Sequence, residues 1–376
     1  MVRVLLVFGT RPEAVKMAPV VLELRRHPDV DARVCVTAQH RQMLDQVLDI
    51  FQIKPDIDLD LMRPDQSLAE ITAAVFTHLD PVLKKHHPDW LLVQGDTTTV
   101  MAASLLAYYH QIKVGHVEAG LRTGDKWQPF PEEINRRVAS AVADLHFAPT
   151  QWAKGNLLRE GIAEDRIVVT GNPVIDALQL VAAMPATAEA ASLLEKLGLS
   201  QNSSSLSRLV LVTAHRRENF GKPLVDICNA LRCLADIYRD DVQFVYPVHL
   251  NPNVVEPVYR LLKNIPNITL LSPLNYLPMI HLLKHTTLLL TDSGGLQEEA
   301  PSLGVPVLVL RRVTERPEGI EAGTVRLVGT STEQIISETS KLLDNPQEYA
   351  RMAQAVNPYG DGHAAGRIVK AIIDYN

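Results

Sequence analysis

Cysteine is scarce in this chain of 376 residues: Cys35, Cys228 and Cys233 are the only three. An odd, scattered set without paired spacing argues against a disulfide framework or a zinc ribbon and fits a reducing, cytoplasmic setting. Cys228 and Cys233 fall on a helical pattern and are expected as small core residues. Positive charge is also short, with 37 Lys and Arg against 43 Asp and Glu for a net charge of −6. A nucleic-acid protein would present a strongly basic surface, so that class is disfavoured, whereas a few convergent cations are enough for one small anionic ligand. No apolar run approaches the length of a membrane span, and the first residues read as a strand without a charged leader or signal h-region, so no membrane partner is expected. Two phosphate-binding signatures are missing as well. Gly-x-x-x-x-Gly-Lys-Ser/Thr does not occur, and Gly9 stands alone where Gly-x-Gly-x-x-Gly would follow the first strand, which disfavours an ATPase and a nicotinamide-dependent dehydrogenase. There is no His-Glu-x-x-His, and the pair His86-His87 lies at the polar end of a helical stretch, so no metal is expected.

What is present is a regular alternation of short apolar runs with helical patterns. Strands are expected at Val2–Phe8, 32–37, Trp90–Gln94, Lys113–Val117, Leu145–Ala148 and 166–170, with helices over 66–85 and 97–109. That rhythm predicts a mainly parallel sheet covered on both faces, with functional loops at the carboxyl ends of its strands. It breaks after Gly171-Asn-Pro173. Residues 182–191 are alanine-rich and expected helical, and the polar stretch 200–205 is where a domain boundary is expected. A second series follows at 209–213, 242–246, Ile268–Leu271, 287–291, 305–310 and 325–328. At this length two cores are the default. The expected architecture is α/β, with two Rossmann-like domains over 1–180 and 205–356 facing a ligand cleft. Residues 357–376 hold a turn cluster and a terminal helix over 363–373 that either caps the second domain or crosses back to the first.

The strand ends carry the chemistry. Thr291-Asp-Ser-Gly-Gly295 joins a buried strand to a short helix and offers backbone N–H groups to a phosphate, with Glu298 and Glu299 close enough for one of them to take sugar hydroxyls. Gly9-Thr-Arg-Pro12 repeats the grammar, with Arg11 and Lys16 adding charge. His215 and Arg216 follow the strand at 209–213, and His249 ends another. Two carboxylates, Asp96 and Glu118, stand at the ends of consecutive strands. Asp96 reads either as a helix cap or as a group free to act, with Thr97 to Thr99 available for the cap. Glu118 needs a partner or solvent, and Arg122 is the expected partner. Glu132 and Glu133 open a helix, with Arg136 and Arg137 a turn later, where dipole and side-chain pairing explain part of the pattern. Neighbouring carboxylates also shift one another's pKa and so provide an acid and a base near neutrality. The residues alone point to a nucleoside-diphosphate ligand and acid–base carboxylates from the first domain.

Together, Gly9-Thr-Arg-Pro-Glu-Ala-Val-Lys16, Gly95-Asp-Thr-Thr-Thr99, Gly115-His-Val-Glu-Ala-Gly-Leu-Arg-Thr123, Pro131-Glu-Glu-Ile-Asn-Arg136, Ala214-His-Arg-Arg-Glu218, Thr291-Asp-Ser-Gly-Gly-Leu-Gln-Glu-Glu-Ala-Pro301 and Asn357-Pro-Tyr-Gly-Asp-Gly362 resemble the bacterial non-hydrolysing UDP-N-acetylglucosamine 2-epimerases along nearly the whole chain. The resemblance implies a fold like that of the GT-B glycosyltransferases and interconversion of UDP-N-acetylglucosamine with UDP-N-acetylmannosamine without a cofactor. It further implies anti elimination of UDP to 2-acetamidoglucal followed by readdition, supplying N-acetylmannosamine for surface polysaccharides. By the same resemblance Asp96 and Glu132 handle protons, Glu118 positions or shares them, and His215 assists the leaving group. Arg11, Lys16, His215, Ser293, Gly294 and Gly295 serve the diphosphate, and Glu299 the ribose. A second UDP-N-acetylglucosamine, bound as activator, would use Gln39, Gln42, Glu132, Arg216 and His249. Asp65 stands where activator-dependent relatives can carry arginine, reversing the charge there. Gln94 and Pro173 depart from the usual histidine and threonine. A homodimer is implied too.

Three other readings compete: a relative acting on a different sugar, including a uronate, or hydrolysing the nucleotide sugar; a GT-B glycosyltransferase, which explains Ser293 to Glu299 but not the carboxylate set; and a non-enzymatic nucleotide-sugar sensor, which would be expected to lack one of the carboxylates that are all present here.

Overall fold

The computed structural model describes residues 1–37, 41–61, 63, 65–199 and 208–375, with 41 and 42 described by backbone only. The chain divides into two compact units. One holds Met1–Gln179 together with Tyr359–Asn376, the other Leu180–Pro358.

The first unit is built on a parallel sheet of seven strands: β1 (Val2–Phe8), β2 (Val30–Val36), β3 (Ile57–Asp58), β4 (Trp90–Gln94), β5 (Lys113–Val117), β6 (Leu145–Ala148) and β7 (Ile167–Val169). Their spatial order is β3-β2-β1-β4-β5-β6-β7. The chain therefore reverses its direction of travel between β1 and β4, the position at which open α/β sheets leave a crevice beyond their carboxyl ends. The near-continuous apolar runs are explained by burial on both faces. Leu5, Val7, Leu91 and Val93 point to one face, where they pack with Val75, Leu79 and Val100 from the helices Leu68–His86 and Thr98–Tyr109. Val4, Leu6 and Phe8 alternate to the other face and are equally buried. Each such side chain contributes about 1.5–3 kcal/mol of transfer free energy.

The second unit repeats the plan with six strands: β8 (Arg208–Thr213), β9 (Val242–Pro247), β10 (Ile268–Leu271), β11 (Leu288–Thr291), β12 (Val307–Val309) and β13 (Val325–Leu327). The order β10-β9-β8-β11-β12-β13 is again all parallel. Its switch point lies between β8 and β11. Val210, Val212, Phe244 and Leu290 pack with Leu224, Ile227 and Leu231 of the helix Lys222–Ile237 on one face, and Leu211, Val245 and Leu289 pack with Leu282 and Leu283 on the other.

The sequence reading and the structure differ in detail. The helix expected over 182–191 is two helices, Pro173–Ala183 and Ala188–Lys196, set at 80°. Pro185 cannot donate to a continuing helix, and Thr187 starts the second by accepting from the amide of Ala190 at 3.3 Å. The division between units falls at Gln179, ahead of the expected boundary at 200–205, a stretch outside the described residues. Residues 188–199 belong to the second unit because Leu193, Leu194 and Leu197 join the cluster around Leu282 and Leu283. The strand expected over 305–310 shrinks to Val307–Val309, since Pro306 offers no amide hydrogen to a ladder. Cys228 is buried as expected, but Cys233 is exposed on the solvent side of its helix. Among the described residues no single helix is long and apolar enough to cross a membrane. Only the bent pair Pro173–Ala183 and Ala188–Lys196 reaches that length and composition together.

The last helix, Ala364–Asp374, lies in the first unit, packed on Arg11–Arg26, with Tyr375 edge-on to Trp90 at 5.2 Å. It carries no cap of its own. Asp176 supplies one from the helix Pro173–Ala183, accepting from the amides of Ala364 at 3.2 Å and Ala365 at 2.9 Å. Asp176→Ala is expected to lower stability by about 1–2 kcal/mol in denaturant unfolding. An unchanged midpoint would refute this capping role.

Candidate active site

Beyond the carboxyl ends of β1, β4 and β5 lie the loops that carry the first unit's candidate residues. Thr10 caps the helix Arg11–Arg26 in a capping box with Glu13. Glu13 is buried and accepts from the amides of Gly9 at 3.0 Å and Thr10 at 2.7 Å, and from the hydroxyl of Thr97 at 2.6 Å. Burial pushes its pKa up, against the pull of these hydrogen bonds. The amides that the sequence reading offered to a phosphate at this turn are thus spent on Glu13. Arg11 stands exposed on the first turn of the helix.

Asp96 is not the cap of the helix Thr98–Tyr109: Thr97 takes that role, accepting from Val100 at 3.3 Å. Asp96 instead receives the Arg136 guanidinium through Nη2 at 2.6 Å and Nε at 3.0 Å, both on one carboxylate oxygen. Glu118 follows β5 with φ +65°, in the left-handed region that a side chain rarely adopts. Its carboxylate pairs with Lys16 and accepts from Asn172 Nδ2 at 2.7 Å. The expected partner, Arg122, is committed elsewhere, to Glu160 at 2.7 and 2.8 Å, because the loop after Gly120 turns it away toward the helix Gln151–Arg159. Lys16, assigned to the diphosphate by resemblance, is placed on Glu118.

Glu132 opens the helix Glu132–Val142, and its Oε2 is a buried oxygen with no hydrogen-bond partner in the protein. Glu133 behaves differently. Fully buried, it accepts from the amides of Thr123 at 3.1 Å and Gly124 at 3.2 Å and from Arg136 at 3.2 Å, which makes it the anchor of the preceding loop. Between β4 and β5, His116 Nε2 lies 2.7 Å from the carbonyl of Gly95, and burial lowers its pKa to about 4, so it is neutral near pH 7.

In the second unit the loops after β8 and β11 meet on Asp292. Completely buried, it accepts from the amides of His215 at 2.7 Å and Arg216 at 2.8 Å and from Asn219 Nδ2 at 3.0 Å. Its other oxygen lies 3.6 Å from His215 Nδ1. The His215 ring stacks on His249 at 5.2 Å and 9°, so the two histidines that the sequence treats separately form one surface. Arg216 reaches back to the carbonyl of Asp292 at 3.3 Å.

Ser293 precedes the helix Gly294–Glu299 and does not spend its hydroxyl on a cap. At Gly294 a Cβ would meet Arg316 Nη1 at 2.5 Å and Cζ at 2.7 Å, which explains the glycine by close approach of a guanidinium. Arg316 binds Glu298 at 2.5 Å and Glu315 at 2.6 Å. Although burial would raise Glu315, Arg316 and Arg311 hold it down to about 2. Glu298 is thus paired with Arg316. Gly295 lies beside Glu299, whose Oε1 accepts from Tyr276 at 2.8 Å. Of the activator set, Gln39 falls outside the described residues, as does the side chain of Gln42. Asp65 is exposed at φ +56°.

Sequence reasoning missed Glu13, Asn172, Asp292, Tyr276 and Arg316 as organisers. Thr-x-x-Glu at residues 10–13 is a legible capping-box signal, and an Asp directly after a buried strand flags Asp292. The other three carry no local signal.

A family model described as UDP-N-acetylglucosamine 2-epimerase matches residues 22–373. A UDP-N-acetylglucosamine 2-epimerase of Salmonella typhimurium is 54% identical, over 99% of each chain. Among solved structures, the UDP-GlcNAc 2-epimerase of Neisseria meningitidis bound to UDP-GlcNAc is 50% identical, superposes with a TM-score of 0.91, and covers 99% of this chain and 100% of its own. An S. aureus co-structure with UDP is 46% identical with a TM-score of 0.88, covering 100% of this chain and 97% of its own. The two parallel sheets, the carboxylates beyond β4 and β5 and the comparisons agree, and the chain belongs to the UDP-N-acetylglucosamine 2-epimerase family.

Proposed function

We propose that the protein interconverts UDP-N-acetylglucosamine and UDP-N-acetylmannosamine by eliminating and re-adding UDP. One observation carries the reading. Asp96 and Glu118, at the ends of adjacent strands, are each held by a cation, whereas Glu132 keeps a buried carboxylate oxygen without a protein partner. The cations hold two of the carboxylates in place, and the third keeps an oxygen that no protein group occupies, open to a reacting group. The C2 hydrogen of the sugar is barely acidic. Its removal needs a positioned carboxylate acting as the bond from C1 to the β-phosphate oxygen breaks. The electron pair of the C2–H bond becomes the C1–C2 double bond of 2-acetamidoglucal, and UDP leaves with the electrons of the C1–O bond. Readdition of UDP at C1 with delivery of a proton to the other face of C2 gives the epimer. Asp96 and Glu132 are assigned to these two proton transfers and Glu118 to their support.

The departing diphosphate gains charge, which fixed donors stabilise most. His215, Ser293, Gly294 and Gly295 are assigned to it, with Arg11 as a further cation and Glu299, oriented by Tyr276, for the ribose. Lys16 neutralises Glu118. The product would feed N-acetylmannosamine into surface polysaccharides.

Incubation with UDP-N-acetylglucosamine in D₂O tests the reading. The expected result is UDP-N-acetylmannosamine and recovered substrate, both deuterated at C2. Epimer formed without deuterium would reject the proton chemistry. Obligatory release of UDP and free sugar would assign the hydrolysing reaction instead.

A further inference from the structure

We propose that Asn172 is a positioning residue for Glu118, aiming and holding the ionised carboxylate through a side-chain amide whose orientation the backbone dictates. The inference rests on the role given to Glu118 above.

Asn172 sits in the turn between β7 and the helix Pro173–Ala183 and is 1% exposed. Polar links converge on it from several sides. Its amide nitrogen donates to the carbonyl of Tyr359 at 2.7 Å, its Oδ1 accepts from the amide of Val174 at 3.2 Å, and its Nδ2 donates to Glu118 Oε2 at 2.7 Å. The side-chain orientation follows from these partners. Val174 presents an N–H, so the oxygen must face it, and the NH₂ group is left to face Glu118. An acceptor in that place would repel the carboxylate.

Glu118 needs such a constraint. Its backbone is in the left-handed region, which persists in a non-glycine residue only when the surroundings fix it. The groups that face it differ in what they supply. Lys16, from the helix Arg11–Arg26, provides a charge on a flexible stem. His116, on β5 just before it, is neutral near pH 7. Asp96, at the end of β4, is covered by Arg136, and Arg122 is bound to Glu160. Asn172 supplies direction. It also joins the carboxylate to Tyr359, the residue at which the chain re-enters the first unit.

Asn172→Asp separates this role from a purely structural one. Aspartate keeps the acceptor for Val174 and the amide link to Tyr359, and it replaces the donor aimed at Glu118. Two carboxylates sharing a site retain a proton to higher pH. Activity that requires ionised Glu118 is present above its pKa and lost as pH falls through it. The acid limb of the kcat/KM profile should therefore move up by about one pH unit, and kcat at pH 7 should fall about 10- to 100-fold, the equivalent of one charge-assisted hydrogen bond. An acid limb and a rate that match wild type overturn the inference. Should Asn172→Asp be too unstable to assay, adding Glu118→Gln restores the wild-type melting temperature, because the neutral amide removes the repulsion. A double variant that stays unstable overturns the inference. C2 deuteration by the wild-type protein is measured alongside. Its absence defeats the reaction itself, and its presence with an unmoved acid limb defeats only the role of Asn172.

Discussion

Glu132→Gln should lower the rate of epimerisation about 10²–10⁴-fold, the range typical of a positioned acid–base group, with UDP binding and the melting temperature near wild type. The size of the effect follows from the surroundings of this side chain. Asp96 and Glu118 have charged partners within the protein. Glu132 Oε2 has none, so the folded protein gains little from its carboxylate and the substitution costs little stability. The isosteric amide cannot shuttle a proton, and C2 deuterium incorporation in D₂O should fall by the same factor as turnover. Steady-state rates, C2 labelling and calorimetric UDP binding are the measurements. Near-wild-type turnover would remove Glu132 from the reaction. A collapse of the melting temperature would show that its role is in folding.

Asp292→Ala should have the opposite profile. Removal of this buried acceptor takes the partner from the amides of His215 and Arg216 and leaves Asn219 Nδ2 with only the carbonyl of Leu310. Each stranded donor costs about 1–3 kcal/mol, so a loss of about 3 kcal/mol or more is expected, an unusually large effect for a single residue. The loop that carries His215 would lose its anchor to β11, and UDP affinity should fall with stability. Thermal unfolding and UDP titration check this together. A variant that melts and binds UDP like wild type would show that the stacked pair His215 and His249 is held by other means. Glu132→Gln is the useful comparator, since it is expected to keep binding and lose turnover.

These two residues also show what was legible in the sequence. Glu132 was visible because it sits in a motif and because helix-opening carboxylates attract attention. Asp292 sits within the most conspicuous motif of the chain, yet its role depends on β8 lying beside β11, a pairing between residues 77 positions apart. Strand patterns give β8 and β11 but not their adjacency. The same limit explains the partner of Glu118. Arg122 is four residues away and the natural guess, whereas Lys16 is 102 residues away and becomes a neighbour only through the strand order β1-β4-β5. The turn at Gly9 illustrates a different failure. The strand-to-helix grammar was read correctly, but Glu13 occupies the amides that the grammar seemed to offer a ligand. Both series of strands were readable because burial on both faces leaves long apolar runs. The two-residue β3 at the sheet edge was not, since it is too short to show a period.

The return of the chain to its first unit at Tyr359 has a consequence for biosynthesis. The helix Ala364–Asp374 packs on Arg11–Arg26, so the first unit joins residues that precede the second unit in the chain to residues that follow it. Residues 180–358, by contrast, form an uninterrupted stretch. On a ribosome the second unit can complete its sheet while the first still waits for its closing helix, reversing the usual N-terminal-first order. During that interval the apolar face of Arg11–Arg26 is uncovered, and the nascent chain is most in need of chaperone protection at the half that began to fold first.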